Sequence, residues 1–172
     1  MEFVILVDEH DNAIGKMEKQ KAHVEGVLHR AFSIFIFNSK KELLLQKRAS
    51  TKYHCGGMWT NTCCSHPREN ESVVDAANRR LQEEMGMQSL LKPIFTFVYK
   101  AEFANGLTEH EFDHVFFGES NEMPSINIEE VEDFRFVGIE ELQNEIKETP
   151  QNFTPWFLIA LDRVYEFNAF QS

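Results

Sequence analysis

Apolar and polar positions along the chain fall into two rhythms, and each change of rhythm marks an element. Phe3–Val7 is an apolar run; Asp11-Asn12 offers a turn, and Ala13–Met17 follows as a second strand. Ala31–Phe37 is rich in strand formers, and Asn38–Lys41 turns it into Leu43-Leu44-Leu45, a hairpin. From Ser72 to Met85 the period lengthens: Val73, Val74, Ala76, Ala77, Leu81 and Met85 recur at helical spacing, with Gly86 where a C-cap belongs. Ile94–Ala104 and Leu107–Phe117 return to strand character, joined by Asn105-Gly106, the strongest hairpin signal in the chain. After Pro124 come an acidic stretch (Glu129–Asp133), a strand over Phe134–Ile139 and a helix from about Glu140. Thr154-Pro155 opens a final amphipathic helix through Phe167, with Thr154 as its N-cap and proline in first position. Cys55–Trp59, with its Gly-Gly pair, reads as loop, and Asn61–His66 is polar and thiol-rich without a period. Hairpins and crossovers together predict an α/β or α+β fold with a mixed sheet. No repeat or linker interrupts it, so a single domain over residues 1–172 is expected.

Charge narrows the function. Seventeen Lys+Arg against 28 Asp+Glu give a net charge of -11, a field that repels polyanions. Nucleic acid and anionic membrane are therefore not expected as partners, whereas a small anionic ligand held by a local basic cluster is. No apolar run approaches the roughly 20 residues of a membrane span, and Phe3–Asp8 begins as a strand with no secretory signature. Three cysteines, two of them adjacent, make a poor disulfide framework, which points to the cytoplasm. Cysteines kept there raise thiol chemistry or metal binding as questions.

Candidate chemistry collects in two places. His66 follows Cys64 by two, and Glu109 and Glu111, two apart in a strand-like run, share a face. With His23 and His29 they make three imidazoles and two carboxylates, a donor set suited to Zn²⁺ or Mn²⁺. Taken singly, each is equally a surface histidine or a solvated glutamate, and spacing alone does not assemble them. The second place is Ser65 to Met87, where Glu71, Arg79, Arg80, Glu83 and Glu84 approach Gly86. Helix-end carboxylates can hold a hard cation that bridges phosphates; the plain alternative is a set of i, i+4 ion pairs. The spacing matches the loop–helix–loop box of the Nudix superfamily, with Ser65 in place of its opening glycine and Arg80 in place of the first glutamate. A cation at Arg80 disfavours metal-clustered hydrolysis without disfavouring diphosphate binding.

Several separated motifs then resemble the type I isopentenyl-diphosphate Δ-isomerases: Glu18-Lys19 with His23, Leu28-His29 with Phe32-Ser33, Gln46-Lys47-Arg48-Ala49 with Lys52, and Pro155-Trp156. The most specific are Trp59-Thr60-Asn61-Thr62-Cys63-Cys64-Ser65-His66-Pro67 and Glu109-His110-Glu111. The resemblance runs from about Phe3 to Phe170, departing at His54-Cys55-Gly56-Gly57, where many relatives have proline before the second glycine. It implies a Nudix-type mixed β-sheet sandwiched between helices and conversion of isopentenyl to dimethylallyl diphosphate, with the chain a monomer or weak dimer. By the same resemblance His23, His29, His66, Glu109 and Glu111 hold Zn²⁺ or Mn²⁺, and Glu84 with the Cys64 carbonyl holds a diphosphate-bound Mg²⁺. Lys19, Arg48, Lys52, Ser65 and Arg80 contact diphosphate; Cys64 and Glu111 form the catalytic pair, with Tyr99 beside the glutamate and Trp156 over the allyl group. Lys19, Arg48, Lys52 and Arg80 are expected to form a local positive well, and Cys55 and Cys63 to be small buried hydrophobes. His10, His54, His110 and His114 are expected to be non-ligands. A Nudix hydrolase and a non-catalytic zinc-binding domain are the alternatives.

Overall fold

The computed structural model describes residues 1–169; Phe170, the far end of the expected resemblance, lies outside them. The strands are β1 (Phe3–Val7), β2 (Ala13–Glu18), β3 (His29–Phe37), β4 (Leu43–Arg48), β5 (Trp59–Thr60), β6 (Cys63–Ser65), β7 (Lys92–Glu102), β8 (Thr108–Glu119) and β9 (Val131–Val137). The helices are α1 (Lys19–Glu25), α2 (Val73–Met85), α3 (Ile139–Glu148) and α4 (Pro155–Ala169), with a 3₁₀ turn at Pro150–Asn152.

Strand β3 organises the layers because it is apolar on both faces. Alternation sends Phe35 and Phe37 to one side, where they join Phe157, Leu161 and Val164 of α4 and Leu142 of α3. Phe32, Ile34 and Ile36 point to the other, against Ala76, Ala77, Leu81 and Met85 of α2. The sheet is thus sandwiched between helices, and it is mixed: β3 runs parallel to β8 from His29↔Glu111 to Phe37↔Glu119, while β7–β8 and β4–β9 are antiparallel. The expected architecture is the observed one. No helix among the described residues is long and apolar enough to cross a membrane.

The site owes its existence to a parting of strands. β3 and β4 share only the pair Phe37↔Leu43; beyond it β6 takes over β3 at Phe32–Ile34, and β5 takes Gln46 and Lys47 of β4. Buried Asn61 and Thr62 stitch the opening. Asn61 Nδ2 donates to the Ile34 and Cys63 carbonyls at 3.2 and 2.9 Å. Thr62 Oγ1 donates to the Leu44 carbonyl at 2.6 Å and accepts from Ile36 N at 3.0 Å. This is why the segment carries no hydrophobic period: its polar side chains stand in for missing ladder bonds.

Three local expectations need correction, and a fourth, the start of α4, is met. α1 was not expected from the hydrophobic pattern; it is a seven-residue helix with Glu18 accepting from Gln20 N and Lys21 N and Gly26 at φ 65° as its C-cap. The β7–β8 connection is a five-residue loop rather than a two-residue turn, closed by Phe103 N to Leu107 O at 2.8 Å. β9 begins within the acidic stretch, at Val131, and stops before Gly138, so α3 starts at Ile139. α4 does open at Pro155, but the Thr154 hydroxyl pairs with Thr60 Oγ1 at 2.8 Å, tying helix to strand.

Candidate active site

Three imidazoles and a carboxylate converge at the edge where β3, β8, α1 and β6 meet. The donor atoms of His23, His29, His66 and Glu111 all lie within 4.8 Å of one another. Glu111 Oε1 stands 2.9 Å from His66 Nε2, 3.4 Å from His29 Nε2 and 3.9 Å from His23 Nε2. Those separations bracket the ~3.4 Å edge of a tetrahedron with bonds of ~2.1 Å. His29 Nδ1 donates to the Val27 carbonyl at 2.8 Å, which leaves its Nε2 facing the cluster as a lone-pair donor. The Nε2 atoms of His23 and His29 are buried without a hydrogen-bond partner, as expected of ligands whose partner is an ion.

Burial opposes the Glu111 charge, but the surrounding imidazoles of His23, His29 and His66 outweigh it and hold the carboxyl well below the usual range. Burial lowers His66 to about 4, so it is a neutral imidazole. Burial also opposes a charge on His29, but the adjoining Glu111 reverses the balance and raises its pKa. A neutral imidazole beside an ionised carboxylate is what a divalent ion requires.

Glu109 is not part of the four-residue group. Its Oε1 accepts from His54 Nε2 at 2.5 Å and its Oε2 from the Tyr99 hydroxyl at 2.9 Å. Tyr99, the register partner of Glu111, also places its hydroxyl 2.5 Å from Glu111 Oε2, bridging the two carboxylates. Burial, then the flanking carboxylates, push the Tyr99 hydroxyl well up, so it remains a proton donor.

A cavity of about 700 Å³ opens beside this cluster. Its lining includes Cys64, Tyr99, Glu109, Glu111 and Trp156 together with Lys19, Arg48, Lys52, Ser65, Arg80 and Glu84. The residues given a role by the resemblance thus border one space, except the buried His23 and His29. The strand period separates the adjacent thiols. Cys64 borders the cavity, whereas Cys63 is fully buried on the α2 side with Sγ 3.5 Å from Glu84 Oε2. Burial holds Cys64 far above the ordinary thiol range, so it carries its proton at neutral pH. Cys55 is half-buried and burial raises it to about 11. Trp156 is 3% exposed, and the Arg48 guanidinium lies 5.2 Å from its ring, so the indole face already meets a cation.

The expected positive well is not bare. Lys52 Nζ is hydrogen-bonded to Glu130 Oε2, Lys19 Nζ meets Glu2 Oε2 at 3.1 Å, and Arg80 bonds Glu84 and Glu83. Arg48 instead donates to the His54 carbonyl at 3.3 Å. Glu84 Oε2 also accepts from Gln46 Nε2 at 2.9 Å, which orients it between α2 and β4. Glu130 was visible only as one of a run of acids, and His54 only as a histidine beside a glycine pair. Neither had a spacing that tied it to the site.

The family model described as NUDIX domain matches residues 27–157. Among solved structures, DR0079 from Deinococcus radiodurans superposes with a TM-score of 0.71 at 18% identity, over 86% of this chain and 90% of that one. A MutT protein from Methanosarcina mazei gives 0.66 at 18%, covering 82% and 95%. These likenesses concern the fold. In sequence, isopentenyl-diphosphate Delta-isomerase 2 of Aromatoleum aromaticum is 53% identical over 161 residues, 94% of this chain and 85% of that protein. The isopentenyl-diphosphate Delta-isomerase of Pectobacterium atrosepticum is 49% identical over 170 residues, 98% of this chain and 95% of its own. The chain belongs to the Nudix superfamily and, within it, to the type I isopentenyl-diphosphate Δ-isomerases.

Proposed function

We propose that this isomerase converts isopentenyl diphosphate to dimethylallyl diphosphate by adding a proton to the alkene and removing one two carbons away, through a tertiary carbocation. The observation that carries the reading is the common cavity of Cys64, Glu111 and Trp156 with Lys19, Arg48, Lys52 and Arg80. An unactivated alkene is a feeble base, so its protonation needs a positioned acid, and the cation it forms needs shielding from water and a second group to take its proton. Cys64 and Glu111 are the pair that exchange these protons. Cys64 supplies a protonated thiol from β6, and Glu111 an ionised carboxylate, held by the Tyr99 hydroxyl at 2.5 Å, that can take up a proton. Trp156 stabilises the cation through its ring face, a contact worth about 2 kcal/mol when desolvated.

Lys19, Arg48, Lys52, Ser65 and Arg80 bind the diphosphate. That group is remote from the reacting carbons, so its binding energy anchors the alkene between the proton-transfer residues. His23, His29, His66 and Glu111 would hold Zn²⁺ or Mn²⁺, with Glu109 beside them on His54 and Tyr99; such an ion would fix the orientation of the Glu111 carboxyl and adjust its acidity. Glu84 and the Cys64 carbonyl would hold a Mg²⁺ that arrives with the diphosphate. The test is incubation with isopentenyl diphosphate in D₂O with defined metals. Deuterated dimethylallyl diphosphate without phosphate release supports the reading; phosphate release without allylic product makes the protein a hydrolase instead.

A further inference from the structure

Glu130 lines the cavity and, among the described residues, is the acidic side chain that forms ion pairs with both Lys52 and Arg80. Its Oε2 is hydrogen-bonded to Lys52 Nζ and lies 3.6 Å from Arg80 Nη2. The placement is built rather than incidental. The Glu130 N–H donates to the Asn127 carbonyl at 2.9 Å, and its own carbonyl accepts from Ala49 N at 3.0 Å, pinning the residue to the segment that carries Lys52. Arg80 is shared: Glu84 Oε1 bonds the same nitrogen that approaches Glu130. Lys52 also needs a counter-charge. It is three-quarters buried; burial opposes its charge, and although Glu84 favours it from a distance, Arg48, Arg80 and Lys19 all act on it as like charges.

We propose that Glu130 is a displaceable counter-ion. In the free enzyme its carboxylate occupies the anion site formed by Lys52 and Arg80, and a diphosphate binds by taking its place. The inference rests on the reading of Lys52 and Arg80 as diphosphate contacts. Its consequence is selectivity. A diphosphate that arrives alone strips Lys52 and Arg80 from Glu130 and Glu84, leaving two carboxylates facing an anion in a half-buried site, which is costly. A diphosphate carrying a divalent cation brings the charge those carboxylates then need. Glu130 therefore discriminates between metal-complexed and metal-free diphosphates, a role that neither the cations nor Glu84 performs alone.

The probe is inorganic pyrophosphate, titrated calorimetrically into the full chain with and without Mg²⁺. Glu130→Gln should bind metal-free pyrophosphate about tenfold more tightly than the parent, and the gain should shrink to about twofold with Mg²⁺. Glu130→Asp, shorter by one methylene, should fall between and serves if the Gln variant folds poorly. Glu132→Gln is the control: Glu132 pairs with Lys47 at 3.1 Å and Ser50 at 2.7 Å, outside the cavity lining, and its loss should leave pyrophosphate affinity unchanged. Equal or weaker metal-free binding by Glu130→Gln, or an equal gain in Glu132→Gln, overturns the inference. If Lys52→Gln and Arg80→Gln lower pyrophosphate affinity in the same series, the diphosphate reading survives that failure. If they bind as the parent does, both fall.

Discussion

His29 and Glu111 are register partners in the parallel strand pair β3 with β8, and their side chains meet at 3.4 Å between Nε2 and Oε1. The pairing puts an imidazole and a carboxylate on adjacent strands at the end of a buried ladder. The ladder then sets their separation, while α1 and β6 bring His23 and His66 in from the flanks. A donor set drawn from four segments acts as a clasp on the fold as well as a site.

The clasp should be measurable as stability. An ion at a hundred times its dissociation constant adds about 2.7 kcal/mol to the folded state, and a kcal/mol moves Tm by roughly 2–4 °C in a domain of this size. Metal-free protein should therefore melt about 5–10 °C below protein reloaded with Zn²⁺ or Mn²⁺. Glu111→Gln should abolish most of that difference. An unchanged Tm on reloading would sink the four-residue site.

The two adjacent cysteines should behave as opposites. Cys64→Ala should lower kcat by about 10²-fold or more, the usual loss on removing a proton-transfer group, with little change in Tm. Cys63→Ala should keep near-parental turnover but cost about 1 kcal/mol of stability, because that thiol fills the α2-side core. Steady-state kinetics with thermal melts of both variants decides it. Near-parental kcat in Cys64→Ala removes the thiol from the mechanism.

Trp156 is both a core residue and a cavity wall, so two roles have to be separated. If the ring stabilises a carbocation, Trp156→Leu should lose about 2 kcal/mol, roughly 30-fold, in kcat while KM changes little. Trp156→Phe should lose less. A diphosphate bearing an ammonium in place of the cationic carbon should bind the parent far more tightly than Trp156→Leu. Equal affinity of that analogue for the two proteins would reduce Trp156 to packing.

The Glu71–Arg79 pair, at the rim of α2, makes a pH prediction. Glu71 accepts from Arg79 Nε at 2.7 Å and Nη2 at 2.9 Å, and these bonds hold its carboxyl below the ordinary 4.5. A carboxyl depressed in the folded state releases protons on folding, so its contribution is present above 4.5 and lost as pH falls through the folded value. Glu71→Gln should lower Tm at neutral pH and flatten the decline below about pH 4.5. Parallel acid limbs for parent and variant would show that the pair contributes nothing.

Much of the molecule was legible from local physics. The continuous run of large apolar residues over Ile34–Phe37 marks a strand buried on both faces, and that in turn requires cover above and below the sheet. Helical period and the Gly86 cap locate α2, and Thr154-Pro155 locates the start of α4. The shared face of Glu109 and Glu111 follows from strand geometry alone. α1 escaped because its seven residues carry too little apolar period; its caps, Glu18 and Gly26, are the signal that marks it.

Local pattern and spaced motifs define the elements, the faces they bury and the residues that belong together. The tertiary structure alone decided where those residues point. The register of β3 on β8 depends on the packing of both faces, and no local period encodes it; it sets His29 opposite Glu111. The parting of β3 from β4 makes room for the buried polar side chains of Asn61 and Thr62, and turns Cys64 toward the cavity while Cys63 enters the core. Glu109 shares a strand face with Glu111, yet His54 and Tyr99 claim its two oxygens, because hydrogen-bond partners are chosen across space. The cations of the anion site look unopposed in one dimension; three-dimensional packing gives Lys52 to Glu130 and Lys19 to Glu2, since a half-buried charge at low dielectric must find a counter-charge wherever the chain folds one within reach.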